Sequence, residues 1–241
     1  MLFNNLFATS KLYNRHIITN HGKMSTGVEK MMLLNKSLYD KYKHFLSLSI
    51  FLFLILWFAY LKKTIVPQHI MYSSLDSKIP FIKEFVLAYY FWFLYMALGF
   101  LYLGLNSKKD FYKMLIFLSL SMSISFMIFI VYPNAQFARP SVPGKDIFSW
   151  LVNFIYSHDG TNNVFPSVHV CNAIGVYLAL ENCSKLKDKY IFRIFSFILM
   201  FSICASTVLI KQHSIIDVAG GLCLAIILYL GIYQTPKLFK R

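Results

Sequence analysis

The sequence predicts an all-α membrane protein: a six-transmembrane-helix bundle with a short interfacial helix between spans three and four. Three observations predict it. The 241 residues are 57% hydrophobic and only 14% charged, where a soluble domain carries about 25% charged residues. Six apolar runs approach the roughly 20 residues that cross a bilayer core about 30 Å thick. The lysines and arginines fall in small groups between those runs, as at membrane flanks.

Each run has its own limits. Phe45 to Leu61 is uncharged and stops at Lys62 and Lys63. Phe85 to Ser107 is closed by Lys108, Lys109 and Asp110. Met114 to Tyr132 ends at Pro133, which has no N–H to continue a helix. Ile147 to Tyr156 is apolar and aromatic but too short to cross, so it reads as the interfacial helix. Val168 to Cys183 is a short fourth span carrying Glu181 near one end. Ile191 to Ile210 is the fifth, with Arg193 placed to snorkel to the interface. Ile215 to Tyr233 is the sixth, followed by Pro236 and a basic tail. The predicted organisation is a basic cytoplasmic tail over residues 1–43, a membrane domain over 44–236 and a short cytoplasmic tail over 237–241.

A formal charge of +14 raises the question of nucleic acid, but such a partner requires Lys and Arg gathered in a stripe or patch. Their scatter between apolar runs excludes it. Cys171, Cys183, Cys204 and Cys223 form no CxxC pair, so neither a zinc site nor a disulfide framework is expected. Asn4, Asn5, Lys11 and Arg15 interrupt any early apolar core, so a cleavable signal is not expected.

Orientation follows from the basic residues. With both termini in the cytoplasm, seventeen of the 24 Lys and Arg residues lie inside; Lys62, Lys63, Lys78, Lys83, Arg139, Lys145 and Lys211 lie outside. The positive-inside rule selects that arrangement in the cytoplasmic membrane. It also brings three polar segments to one face. Span three exits outward into "NAQFARPSVPG" (134–144), span four enters from outside after "FPSVHV" (165–170), and span five exits into "STVLIKQHSIID" (206–217).

Those segments carry the parts of a phosphate site. Arg139 offers a planar fork matched to phosphate oxygens. The start of span four offers unpaired backbone N–H groups and the positive end of a helix dipole, and Ser167 adds a hydroxyl. His169 and His213 can divide acid and nucleophile between them. Asp217 distinguishes the two, because it lies four residues after His213 and one helical face serves both. A carboxylate on one imidazole nitrogen fixes the tautomer and supports the charge formed on attack. His213 is therefore the expected nucleophile and His169 the expected general acid. Taken alone, Arg139 also fits an interfacial anchor, Ser167 a helix start, and Asp159, Asn162 and Asn163 ordinary loop content.

"ARP", "FPSVHV" and "STVLIKQHSIID", in that order, resemble the three signature motifs of the type 2 phosphatidic acid phosphatase superfamily. The resemblance covers roughly residues 132–221. It implies a six-helix membrane bundle and a metal-independent phosphohistidine mechanism with no cofactor. By position it implies Arg139, Ser167 and Lys211 as phosphate holders, with Lys211 equally readable as an interfacial lysine. The sequence departs from the family pattern at Tyr132, where a lysine is usual, at Val168, where glycine is common, and at Thr207, where arginine is usual. This variant looks like the branch containing inositol phosphorylceramide synthases. The expected activity is hydrolysis of a membrane lipid phosphate or diphosphate at the extracytoplasmic face. The alternatives are a lipid phosphotransferase using the same residues, or a non-catalytic transporter or scaffold.

Overall fold

A computed structural model of the chain describes residues 31, 37–136 and 139–234. Most of the expected N-terminal tail and all of the C-terminal tail lie outside the described residues. The chain divides into two compact units, Met1–Phe45 and Leu46–Arg241. In the first, residues 37–42 are helical. Among its described residues the second holds seven α-helices: α1 (Ile50–Thr64), α2 (Val86–Asn106), α3 (Lys108–Val131), α4 (Ile147–Asp159), α5 (Val168–Glu181), α6 (Tyr190–Leu209) and α7 (Ile215–Tyr229).

Five helical stretches are long and apolar enough to cross a membrane: Ser37–Thr64, Lys83–Asn106, Lys108–Val131, Tyr190–Leu209 and Ile215–Gln234. Their outer faces leave Phe53, Leu56, Ile191, Phe195 and Ile227 more than half exposed, a display of apolar surface that a water-soluble protein avoids. The protein is a membrane protein on that evidence. Four helix starts, those of α3, α4, α5 and α7, carry a side-chain cap supplied by the local sequence. Ser107 caps α3, accepting from the Asp110 N–H, and Asp146 caps α4, accepting from the Phe148 and Ser149 N–H groups. These bonds satisfy first-turn donors that a helix cannot satisfy itself.

Helix α5 is the axis of the bundle and is shorter than each of the four helices packed around it. It is 14 residues long, about 21 Å, against a hydrocarbon core of about 30 Å. It packs against α2, α3, α6 and α7. Small side chains permit the approach: Ala173, Val176 and Ala179 are fully buried, and a Cβ on Gly175 would stand 2.4 Å from the Phe117 ring. Its last residue, Glu181, accepts a hydrogen bond of 2.8 Å from Arg193 Nε, and a second guanidinium nitrogen reaches the other carboxylate oxygen. Arg193, expected to snorkel, thus neutralises the one carboxylate of the short helix.

Around this axis, Leu54 and Leu61 of α1 meet Phe126 and Phe129 of α3. Helix α4 runs three residues beyond its expected end at Tyr156, and its Val152 and Ile155 pack with Val86, Tyr89 and Ile210. Two three-residue strands escaped the sequence analysis. β1 (His69–Met71) pairs in parallel with β2 (Asn134–Gln136), with His69 opposite Asn134 and Met71 opposite Gln136. Ala135 also bridges antiparallel to Asn162. Segments that short carry no readable period-2 pattern.

The α5–α7 contact ties the fold to the polar face. The Ser167 N–H donates to the Asp217 carbonyl at 3.0 Å, and a Cβ on Gly221 would stand 2.7 Å from the Ser167 carbonyl oxygen. Gly221→Ala is expected to force the helices apart and cost about 1–3 kcal/mol. Thermal unfolding of the purified protein in detergent measures it, and an unchanged midpoint would refute the close approach.

Candidate active site

The polar face is organised around Asn134. Its side chain is fully buried and makes four hydrogen bonds. Oδ1 accepts from the Val164 and Phe165 N–H groups at 2.9 and 2.8 Å, and Nδ2 donates to the Tyr132 and Phe165 carbonyls at 2.7 and 3.2 Å. The Asn163 N–H donates to the Asn134 carbonyl at 2.8 Å, with Asn163 itself at φ 62°, the left-handed region that asparagine tolerates better than most residues. This single amide fixes the segment that leads into α5.

Ser167 then caps α5, its hydroxyl oxygen accepting from the Val170 N–H at 3.4 Å. His169, in the first turn, is held between two aromatic rings of α2, with ring centroids 4.5 Å from Tyr89 and 4.4 Å from Trp92. The His213 ring lies 5.7 Å from that of His169. The two imidazoles, 44 positions apart by number, therefore meet.

His213 stands on the tight connection between α6 and α7. The Gln212 and His213 N–H groups both donate to the Thr207 carbonyl at 2.9 Å, with Lys211 at φ 53°. Asp217 is fully buried and serves two neighbours. Its Oδ2 accepts from the Ser214 N–H at 2.9 Å, within a capping box, and lies 3.3 Å from His213 Nδ1. Assigning the Nδ1 proton from that contact leaves Nε2 unprotonated and pointing away from the carboxylate.

Arg139 is brought to the same place. Its guanidinium lies 4.7 Å over the Tyr156 ring; Nη2 donates to both the Gly160 carbonyl and Gln212 Oε1, and Nη1 to the Tyr156 carbonyl at 3.5 Å. Burial pushes its pKa down from the ordinary arginine value, yet arginine stays charged at any physiological pH. Burial also pushes the Tyr156 phenol up to about 12, so it remains a donor, and it bonds the Ile210 carbonyl at 2.7 Å.

These side chains surround a hollow of about 50 Å³, lined by Arg139, Asp159, Asn163, His169, Gln212 and His213 among others. Arg139 Nε, Gln212 Nε2 and both Nδ2 and Oδ1 of Asn163 are buried without a hydrogen-bond partner among the described residues. Three orphaned donors at one small hollow are costly unless an acceptor sits among them. No cluster of three His, Cys, Asp or Glu side chains suited to a metal ion occurs among the described residues.

The sequence-predicted residues do not all line that hollow. Arg139, His169 and His213 do, Asp217 stands behind His213, and Ser167 lies beneath as a cap. Lys211 turns its ammonium to the Asp76 and Ile79 carbonyls at 2.7 and 2.5 Å, and burial pushes its pKa down. Several residues were missed. Asp159, read as loop content, ends α4 and accepts from the Tyr89 hydroxyl at 2.9 Å, with Lys62 Nζ 4.0 Å away. Asp76 clasps the start of α7: its carboxylate accepts from the Ser214 hydroxyl at 2.6 Å and the Ile215 N–H at 2.9 Å. Its signal in the sequence is scarcity, as one of ten acidic residues, on the loop that parity places beside the motifs.

The PAP2 superfamily matches residues 112–241, more than half of the chain. The chain belongs to that superfamily. No curated protein and no solved structure matches it. The superfamily match takes in most of α3, β2, the Arg139 segment, His169 and His213, and α4 through α7. The loop bearing Asp76 and helices α1 and α2 lie before it, although Asp76, Tyr89 and Trp92 all contact the matched half.

Asn134→Ala would leave the Val164 and Phe165 N–H groups buried and unpaired, at about 1–3 kcal/mol each. The expected result is a lower unfolding midpoint together with loss of any site-dependent activity; a midpoint matching the parent protein would sink the assignment.

Proposed function

We propose that this protein hydrolyses a membrane lipid phosphate at the extracytoplasmic face of the cytoplasmic membrane through a phosphohistidine intermediate. In this reading α5 is the fourth of six spans, α4 lies along the interface, and both termini are cytoplasmic. The observation that carries the proposal is the anion-sized hollow where one guanidinium, two imidazoles and three orphaned N–H donors converge.

Each residue then has a task. Arg139, the Ser167 hydroxyl proton and the first-turn N–H groups of α5 hold the phosphate oxygens. Lys211, fixed at the rim, adds positive potential. His213 Nε2 attacks phosphorus, and Asp217 stabilises the imidazolium that results. His169 gives a proton to the leaving alcohol oxygen, then takes one from the water that cleaves the phosphorus–nitrogen bond. The histidines, carboxylate and arginine account for the whole reaction, and the proposal includes no metal or cofactor.

An apolar cavity of about 350 Å³ supports a lipid substrate that enters from the bilayer. It is bounded by Ile55, Phe58, Trp92, Phe93, Met122 and Phe126, and it shares His169 and Asp159 with the hollow. A hydrocarbon chain lying there sets its ester oxygen beside His169, where the proton is needed.

Lipid-phosphate turnover is expected to survive chelator and to fall to background in His213→Ala. His169→Ala should cost about 10²- to 10⁴-fold with an alkyl leaving group and far less with a nitrophenyl one, which leaves without a proton. Activity abolished by chelator, or retained in His213→Ala, would refute the proposal.

A further inference from the structure

At the end of the bundle away from the hollow, α2 and α6 part around an apolar cavity of about 360 Å³, a volume within the range of small-ligand sites. Helix α5 fixes which end this is. It starts beside the hollow at Ser167 and finishes at Glu181, which is bonded there to Arg193 of α6. Leu98, Leu101 and Leu105 of α2 form one wall, and Phe192, Phe195 and Leu199 of α6 form the other. The cavity shares no lining residue with the hollow or with the apolar space beside His169.

We infer that this cavity holds one acyl chain of an anionic membrane phospholipid, whose phosphate-bearing head group is held at the mouth by the lysines of segments 108–109 and 185–189. The site rests on the membrane fold and on no step of the phosphohistidine chemistry. In the orientation proposed above it faces the cytoplasmic leaflet.

Depth is the first argument. From Tyr95 to Asn106, both in its lining, the α2 wall rises about 16 Å. Half of a hydrocarbon core of about 30 Å is about 15 Å, so the cavity spans one leaflet, with its floor near the midplane and its mouth at head-group level. Its polar groups are already engaged. At the floor the Tyr95 hydroxyl and Ser196 Oγ bond each other at 2.6 Å, and near the mouth Asn106 Nδ2 donates to the Tyr102 carbonyl at 2.9 Å. A polar occupant would find little to bond there, whereas a hydrocarbon chain needs nothing.

Apolar walls alone give a chain no preference over the surrounding lipid tails, so selection falls to the mouth. Asn106 ends α2, and Lys108 and Lys109 follow it. Phe192 and Phe195 also border a second space, lined by Asp188 and Lys189, and the exposed Lys185 and Lys187 precede it in the same turn. Of the carboxylates in these segments, Glu181 is bonded to Arg193 and Asp110 to the Ser107 hydroxyl. Asp188 is left to face the lysines. The mouth is therefore positive, and a basic pocket between membrane helices takes an anionic head group.

The test uses the full-length protein, freed of lipid in detergent and then offered phosphatidylglycerol or phosphatidylcholine with the same acyl chains. Native mass spectrometry counts the lipid retained. Phosphatidylglycerol should be retained about fivefold or more over phosphatidylcholine, and the Lys185→Gln, Lys189→Gln double variant should cut that excess about fivefold or more. Leu101→Trp, on a wall half exposed to lipid, should fill the cavity and abolish the excess. Unfolding midpoints in lipid-free detergent identify the variants that are folded. Equal retention of the two lipids overturns the inference, as does an excess that persists in either folded variant. An excess lost in Arg139→Ala but kept in the double lysine variant places the lipid at the hollow instead and overturns it too. Dimers that form without lipid and disperse in Leu101→Trp assign the cavity to a second copy, with the same consequence. None of these outcomes bears on the phosphohistidine reading, which His213→Ala tests separately.

Discussion

The Asn134 side chain uses its whole amide inventory, two acceptor and two donor contacts, on the backbone at 132, 164 and 165. In an apolar bundle that economy is decisive. Irregular backbone away from water must find its partners within the protein. From Asn134 the bonds continue without a gap. Val164 and Phe165 are fixed; the Ser167 N–H then reaches the Asp217 carbonyl, and the Asp217 carboxylate reaches His213. Three segments separated by dozens of residues become one polar unit, and the histidines inherit their spacing from it.

The second constraint is charge. Arg139 and Asp159 both border a hollow of about 50 Å³, and at such range their opposite charges largely cancel. A bound phosphate therefore depends on additional positive charge or on hydrogen bonds. Lys62, 4.0 Å from Asp159, offsets the carboxylate. Tyr89 donates to the same carboxylate while its ring packs on His169, so the expected acid sits on a side chain that Asp159 holds still. The lysine and arginine that the family pattern usually supplies at the Tyr132 and Thr207 positions are thus partly answered from other elements. Tyr132 itself stacks on His69 at 4.0 Å, and the Thr207 carbonyl receives the Gln212 and His213 N–H groups.

What was legible in the sequence follows the same division. Long apolar runs broadcast their length, so α2, α6 and α7 appear within a few residues of their expected limits, whereas α3 starts at Lys108 rather than at Met114 because Ser107 caps a charged first turn that hydropathy does not register. His213 and Asp217 were readable because one helical turn relates them, and Arg139 and His169 because topology placed them on the same face. Asn134 and Gln212 were not singled out and Asp159 was read as loop content, since an amide or a carboxylate in a loop looks like any other until its partners arrive from elsewhere. Asp76 is the clearest case. Its four partners, the N–H groups of Ser73 and Ile215, the Ser214 hydroxyl and, through its carbonyl, Lys211, lie mostly some 135 to 139 positions away. Local periodicity carries no trace of such a contact.

The shortness of α5 joins these observations. A helix of about 21 Å at the bundle axis is roughly 9 Å shorter than a hydrocarbon core of about 30 Å. At its start, the connection after α3 and the turn before α7 come together, held by Asn134 and by the Asp76 clasp. A longer α5 would bury the same depth more simply, but it would replace the hollow with apolar side chains. The missing turns of helix are therefore the space in which the site exists, and the glycine at position 221 lets α7 come close enough to close it from behind. Fold and site are one solution to one problem: ending a central helix early inside an apolar bundle while pairing the backbone at 163–165, 167 and 214–215 with Asn134, Asp217 and Asp76.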